Sequence, residues 1–253
     1  MSIQELTADL PAPGPLNLCD TALFLDLDGT LASIAARPQD VHPDPRRTSL
    51  LERLARRLDG RLAVISGRTL ADVDRILEGR VTTVAAVHGL VRRSPRGRLF
   101  QTPPHPGLDR ATAGFRAFAA RDAGLIVEEK AGLSVALHFR QAAGQTEAAR
   151  SCARRLAAET GLSLQDGDMV AELRTPGPCK GDSVRSFMAK APFAGAVPVF
   201  VGDDATDENG FAAVQALGGI GVVVGHARET GARFRLADVE AALRWLEAAS
   251  WAA

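Results

Sequence analysis

Apolar positions along this chain arrive in two rhythms, and the rhythm changes twice. Short, wholly apolar runs at Ala22–Leu27, Leu62–Ile65 and Val81–Val87 suit strands buried on both faces, since a strand with one wet face alternates instead. Between them, Arg46–Leu58 repeats Leu50, Leu51, Leu54 and Leu58 on one helical face, and Leu70–Leu77 also predicts a helix. This strand–helix alternation predicts a parallel, doubly wound sheet. After "TPPHPG" at 102–107 the pattern differs. A helix over Leu108–Arg121 is followed by strands over Leu125–Lys130 and Leu133–Arg140, joined only by Ala131 and Gly132 and so necessarily antiparallel. A helix over Thr146–Thr160 and strands over Ser163–Gln165 and Met169–Arg174 complete the unit. After "TPGPCKG" the first rhythm returns, with helices over Asp182–Lys190, Glu208–Leu217 and Val239–Ala248 and strands over Val197–Val201 and Ile220–Val224. The predicted fold class is therefore α/β. It has a doubly wound, Rossmann-like parallel-sheet core at 1–105 and 177–253, interrupted once by an inserted α+β cap of order αββαββ at 106–176. The Pro-rich residues up to about Asn17 predict an extended, partly ordered arm.

Composition narrows the function classes. Thirty basic residues balance thirty acidic ones, so no overall field draws the chain to nucleic acid or an anionic membrane. Cys19, Cys152 and Cys179 have no metal-ligand spacing and are odd in number, as in a reduced, cytoplasmic protein. No run approaches the roughly 18 apolar residues of a membrane span, and the N-terminus lacks a basic start and an apolar signal core. The expectation is a soluble cytoplasmic monomer acting on a small molecule, with neither nucleic acid nor membrane as partner. Only Lys130, Lys180 and Lys190 are lysines; where arginine serves almost everywhere else, a lysine inside a motif is informative.

In parallel sheets, reactive groups gather beyond the carboxyl ends of the strands, where helix N-termini aim their N–H groups. Four segments fall there: "DLDGT" at Asp26–Thr30, "SGR" at Ser66–Arg68, "CKG" at Cys179–Gly181 and "GDDATDENG" at Gly202–Gly210. Carboxylates collected from separate strand ends repel unless a cation sits among them, and Mg²⁺ favours a couple of carboxylates, retained waters and a phosphate oxygen. Mg²⁺ is therefore the expected cofactor, with Asp26, Asp28, Asp203 and Asp204 as candidate ligands and Asp207 orienting its waters. Asp26 is the candidate nucleophile on phosphorus. Asp28, on the same side by strand alternation, is the candidate acid and base. Thr30, Ser66, Gly67, Arg68 and Lys180 are candidate phosphate-binding residues, and Arg68 either pairs with an acid near the site or closes the loop. His88 stands between a loop hydrogen bond and a role in the site.

Taken together, these segments resemble the four motifs of the haloacid dehalogenase superfamily of phosphohydrolases, in order and over most of the chain. The resemblance implies phosphoryl transfer through an aspartyl-phosphate; Asp at position 28 is what the family's phosphatases and mutases keep, where its transport ATPases have Thr. The insertion between the second and third motifs looks like the cap of sugar-phosphate phosphatases. Within that group the chain most resembles the trehalose-6-phosphate phosphatases, on "DGTLASIAARP" at Asp28–Pro38, "ISGR" at Ile65–Arg68, "VHGL" at Val87–Leu90, "VEEKAGLSVALHFR" at Val127–Arg140, "AELRTPGPCKG" at Ala171–Gly181 and "GDDATDE" at Gly202–Glu208. The resemblance implies Mg²⁺-dependent hydrolysis of a phosphorylated disaccharide, trehalose 6-phosphate. Phosphatases of sucrose phosphate or mannosyl-phosphoglycerate share the core motifs, and a non-catalytic sugar-phosphate sensor would be expected to have lost Asp26 or Asp28. "RTP" at Arg174–Pro176 departs from the family's more usual Pro directly after Arg.

The cap strands alternate. Leu133, Val135, Leu137 and Phe139 interleave with Ser134, Ala136, His138 and Arg140; Glu128 shares a face with Lys130, and Glu172 with Arg174. With helices on the apolar face, the polar face is left open above the core, suited to the hydroxyls of a disaccharide. The resemblance places Glu128, Lys130 and Glu172 on the sugar, with His138 and Arg140 beside them; an ordinary solvated strand face shows the same alternation.

Overall fold

The computed structural model describes residues 10–251. In chain order the elements are β1 (Thr21–Leu25), α1 (Pro45–Arg57), β2 (Leu62–Ile65), α2 (Leu70–Ile76), β3 (Thr83–Ala86), β4 (Val91–Arg93), β5 (Leu99–Gln101), α3 (Leu108–Ala119), β6 (Ile126–Lys130), β7 (Ser134–His138), α4 (Thr146–Thr160), β8 (Ser163–Gly167), β9 (Val170–Arg174), α5 (Lys180–Met188), β10 (Val197–Gly202), α6 (Glu208–Ala216), β11 (Ile220–Val224), β12 (Phe234–Leu236) and α7 (Val239–Trp251). They divide into two compact units, one running to Leu99 and resuming at Pro178, the other Phe100–Gly177. The crossover expected at 105/106 thus falls inside the second unit, which begins within β5. No helix among the described residues is long and apolar enough to cross a membrane.

In the first unit the sheet order is β12-β11-β10-β1-β2-β3-β4, continuing into β5. β1 is central and parallel to both neighbours, with Leu25 level with Val201 of β10 and Val64 of β2. The chain steps from β1 outward through β2 and β3 on one side, then after the insertion through β10, β11 and β12 on the other. The strand order therefore reverses at β1/β10, and the crevice beyond the carboxyl ends of those two strands is where such sheets bind ligands. Both faces of β1 are buried: Ala22 and Phe24 pack with Val184, Phe187 and Phe211 of α5 and α6, and Leu23 and Leu25 are fully buried on the other face. Phe24 stacks on Phe193 at 5.5 Å between centroids, and Phe200 meets Phe211 edge-on at 5.6 Å. Each such side chain contributes about 1.5–3 kcal/mol by burial, which holds the strand ends rigid beneath the site.

Local signals set the helix starts. Asp44 accepts hydrogen bonds from the N–H groups of Arg46 and Arg47 with Pro45 in the first turn of α1, and Thr69 accepts from Asp72 N–H to start α2. Helix α5 begins at Lys180, two residues before the predicted start, because Cys179 N–H donates to Asp182 Oδ2 at 2.9 Å. Lys180 thereby moves from a loop into the first turn of a helix. β4 is antiparallel to β3, a departure from the expected all-parallel sheet, and β4, β5 and β12 were not predicted. "VRR" reads as polar, yet Arg93 is neutralised by a two-point bond to Asp74 at 2.7 Å on each arm. The arm is fastened rather than loose over its described part, since Pro11 O accepts Arg235 N–H at 3.0 Å and Gly14 O accepts the Trp245 indole N–H at 2.8 Å; residues 1–9 lie outside the described residues.

The second unit is an antiparallel sheet of order β6-β7-β9-β8. Its apolar face packs on α3 and α4 through Ala111, Phe115, Val135, Leu137, Ala153, Leu156 and Leu173. Arg140 lies beyond the end of β7, in a 3₁₀ turn at Arg140–Gln145, rather than on the strand.

Candidate active site

Around the β1/β10 crevice the first unit brings Asp26, Lys180, Asp203 and Asp207 together. Asp26 follows β1, its N–H bonded to Val201 O at 2.9 Å. Lys180 Nζ donates to Asp26 Oδ1 at 2.9 Å and to Asp207 Oδ1 at 2.6 Å. Asp207 is completely buried, and its other oxygen accepts the N–H groups of Asp203 and Asp204, both at 3.0 Å. Ligand oxygens of Asp26, Asp203 and Asp207 lie within 4.8 Å of one another. Asp204 stands apart from that group, accepting from Ala205 N–H at 2.7 Å at the start of the turn Ala205–Asp207. Gly29 is required here twice over: its φ is +77°, and a Cβ would fall 1.9 Å from Asp203 Oδ2.

The electrostatics of this cluster are incomplete. Burial pushes the Asp26 carboxyl well above its ordinary range; Lys180 opposes this while Asp207 and Asp203 add to it. Burial and then Asp207 push Asp203 up to about 7. Lys180 is also desolvated, but Asp207 and Asp26 outweigh that and hold it firmly protonated. One ammonium therefore serves three carboxylates. Asp203 Oδ1 is buried with no hydrogen-bond partner among the described residues, as is the Thr30 hydroxyl, and a buried acceptor in that state is costly. An oxygen-seeking divalent cation fits this donor set. Asp207 has both oxygens occupied, which leaves Asp26 and Asp203 with acceptor capacity.

Asp28 is not part of the acidic group. Its carboxylate is gripped by Arg68, Nε to Oδ2 and Nη2 to Oδ1, both at 2.7 Å. Ser66 is 1% exposed; its Oγ accepts Arg68 N–H at 3.2 Å, and its own hydroxyl proton remains to be donated. The His88 ring lies over Gly67, where a Cβ would come within 2.4 Å of Nε2. Val87 and His88 both adopt positive φ, 47° and 55°, strained for a β-branched residue. His88 N–H donates to Ser66 O at 2.9 Å, and a Cβ on Gly89 would lie 2.7 Å from Cys179 O. This tight loop joins the Ser66 turn to the start of the Lys180 helix.

In the second unit, strand register puts Glu128, Ala136, Glu172 and Gln165 in one row and Lys130, Ser134, Arg174 and Ser163 in the next. Lys130 Nζ bonds Glu172 Oε2 at 2.6 Å and lies 4.0 Å from Glu128 Oε2. His138 Nε2 is 2.8 Å from the same Glu128 oxygen. Burial would raise the Glu128 carboxyl, but the His138 hydrogen bond and Lys130 outweigh it and bring it below its usual range. Lys130 and Glu172 are 7% and 3% exposed. Ser134, on the polar face expected from strand alternation but given no role there, has a buried hydroxyl with no partner among the described residues. Arg140 is elsewhere, bonded to the Asp168 carbonyl and carboxylate at 3.0 and 2.8 Å.

A sheet that reverses its strand order beneath a cluster of acids, interrupted by a smaller unit, is the architecture of phosphatases of the haloacid dehalogenase superfamily. A solved Bacteroides thetaiotaomicron phosphatase of that superfamily superposes with a TM-score of 0.59 at 17% identity, over 89% of this chain and 92% of its own. Nearer in sequence, the Escherichia coli (strain K12) trehalose-6-phosphate phosphatase is 38% identical over 229 residues, covering 89% of this chain and 85% of that protein. A crystal structure of a trehalose-6-phosphate phosphatase related protein matches at TM-score 0.75 and 28% identity, over 89% of this chain and 95% of that one. The trehalose-phosphatase family model matches residues 24–240, and the chain belongs to that family. It is accordingly an enzyme, a phosphoric monoester hydrolase.

Proposed function

We propose that this protein hydrolyses trehalose 6-phosphate to trehalose and phosphate, with Mg²⁺ as cofactor and Asp26 as nucleophile. The observation that carries the reading is the buried Asp26 carboxylate, held by Lys180 beside an Asp203 oxygen that has no partner among the described residues. Asp26 and Asp203 would hold the cation, with Asp207 buttressing Lys180 and the loop; the cation supplies positive charge to the phosphoryl oxygens. The sugar identity rests on family membership and on the polar cap face of Glu128, Lys130, Glu172 and His138.

In the first step an Asp26 carboxylate oxygen attacks phosphorus, and the bond from phosphorus to the sugar oxygen breaks. Asp28, which enters this step protonated, gives that proton to the departing alkoxide, so trehalose leaves neutral. Lys180 orients the attacking carboxylate, and the Ser66 and Thr30 hydroxyls donate to the equatorial oxygens as charge spreads over them. In the second step Asp28 takes a proton from water as the water oxygen attacks phosphorus. The acyl-phosphate bond breaks, phosphate leaves, and Asp28 is again protonated.

On the cap, an array of acceptors and donors can exchange its internal hydrogen bonds for those of sugar hydroxyls without changing charge. Phosphate release should be measured on a panel of trehalose, sucrose, glucose and mannose phosphates, with Mg²⁺ and with chelator. A clear preference for trehalose 6-phosphate that vanishes with chelator is expected; comparable rates on the monosaccharide phosphates would overturn the sugar assignment.

A further inference from the structure

Arg68 is an expected phosphate-binding residue, yet its guanidinium is directed at an acid. Its Nε and Nη2 take both oxygens of Asp28 side-on at 2.7 Å, and Nη1 donates to Pro38 O at 2.7 Å. Its backbone is pinned as well, N–H to Ser66 Oγ at 3.2 Å and carbonyl from Val87 N–H at 2.9 Å. The side chain is only 9% exposed, whereas that of Asp28 is 34% exposed. Asp28 sits past the strand end, just before a glycine at φ +77°, where the main chain alone leaves its carboxylate able to rotate. A planar two-point grip removes that freedom, and only a guanidinium supplies it. The cation turned toward the nucleophile is a different one, Lys180.

We propose that Arg68 is a positioning residue for Asp28: it fixes the plane of the carboxylate that serves the sugar oxygen, in register with Ser66, and is not a ligand of the transferred phosphate. The inference rests on the acid–base role of Asp28. Small displacements of a reacting group cost large factors in rate, and the cost here falls on proton transfer to the leaving group. It is therefore large for a sugar alkoxide, which needs the proton, and small for a p-nitrophenolate, which does not.

The test compares R68Q, R68K, D28N and the double variant D28N/R68Q on trehalose 6-phosphate and on p-nitrophenyl phosphate, with inhibition by inorganic phosphate as the readout of phosphate binding. R68Q is expected to lower kcat on trehalose 6-phosphate at least about tenfold more than on p-nitrophenyl phosphate, with the phosphate inhibition constant within about threefold of wild type. R68K keeps the charge, guards against loss of fold, and is expected to show the same split at smaller size. In the D28N background, R68Q is expected to cost no more than about twofold further, because residues acting as one unit are not additive. Equal losses on both substrates with weakened phosphate inhibition, or a full additional loss in the D28N background, would overturn the inference and return Arg68 to the phosphate. If D28N itself slows both substrates alike, the acid–base assignment fails and takes the inference with it, while a split in D28N without one in R68Q sinks the inference alone.

Discussion

The two units bury charge in opposite ways. At the strand ends of the core, Lys180 is bonded to Asp26 and Asp207 with Asp203 beside them, and the imbalance shows as the Asp26 and Asp203 carboxyls pushed upward. On the cap face, Lys130 and His138 face Glu128 and Glu172, and Glu128 is held below its usual range. A deficit of positive charge in a rigid, buried setting suits a site that takes up a cation and then an anion. A network that pairs Lys130 with Glu172 and His138 with Glu128 suits one that trades hydrogen bonds with a neutral, hydroxyl-rich ligand.

This contrast breaks most sharply at Asp26. D26N keeps the shape and removes the proposed nucleophile, so turnover is expected to fall by about a thousandfold or more with the circular dichroism spectrum unchanged; appreciable residual activity would sink the assignment. On the cap, E172Q or K130M is expected to lower kcat/KM for trehalose 6-phosphate by about a hundredfold, because each leaves its partner's charge buried, while p-nitrophenyl phosphate hydrolysis changes only a few-fold. Parallel losses on both substrates would merge the two roles.

The charge deficit also has a thermal signature. The Asp203 carboxyl binds its proton more tightly folded than unfolded, so its stabilising contribution is full below 3.8 and is lost as pH rises to about 7. Chelator-treated protein is therefore expected to lose stability across that window, on the order of a few kcal/mol, whereas saturating Mg²⁺ flattens the slope. A thermal denaturation series at stepped pH reads this directly, and identical slopes with and without Mg²⁺ would contradict it. The smallest effect belongs to Arg140, which is spent on Asp168 at the turn between β8 and β9; R140A is expected to change activity on either substrate by less than about twofold, by steady-state kinetics.

Much of the core was legible because its signals are local. Apolar runs of parallel strands, the leucine face of α1 and acids directly after β1 and β10 all sit within a few residues of the feature they specify. Strands β4, β5 and β12 were not legible: three-residue segments carry too little periodicity, and the bond of Arg93 to Asp74, nineteen residues away, is not visible in "VRR". The candidate site divides in the same way. Strand alternation foresaw the shared face of Glu128, Lys130 and Glu172, but carried Arg140 along a strand that ends at His138. The grip of Arg68 on Asp28 spans forty residues and left no trace in spacing, so its partner was an open choice. Ser134 stood on the right face with nothing in the sequence to distinguish its hydroxyl, which the neighbouring strands leave without a partner among the described residues. Arg228 was invisible altogether, yet it donates to the carbonyls of Asp203 and Asp204 at 3.3 and 3.1 Å and so steadies the acidic loop.

Transfer of the phosphoryl group to a carboxylate and then to water is two displacements at phosphorus, each inverting its configuration. Hydrolysis of a trehalose 6-phosphorothioate made chiral at phosphorus with two oxygen isotopes, in water carrying the third, is expected to yield chiral thiophosphate with net retention. Net inversion would mean that water attacks directly, and would remove Asp26 from the role of nucleophile.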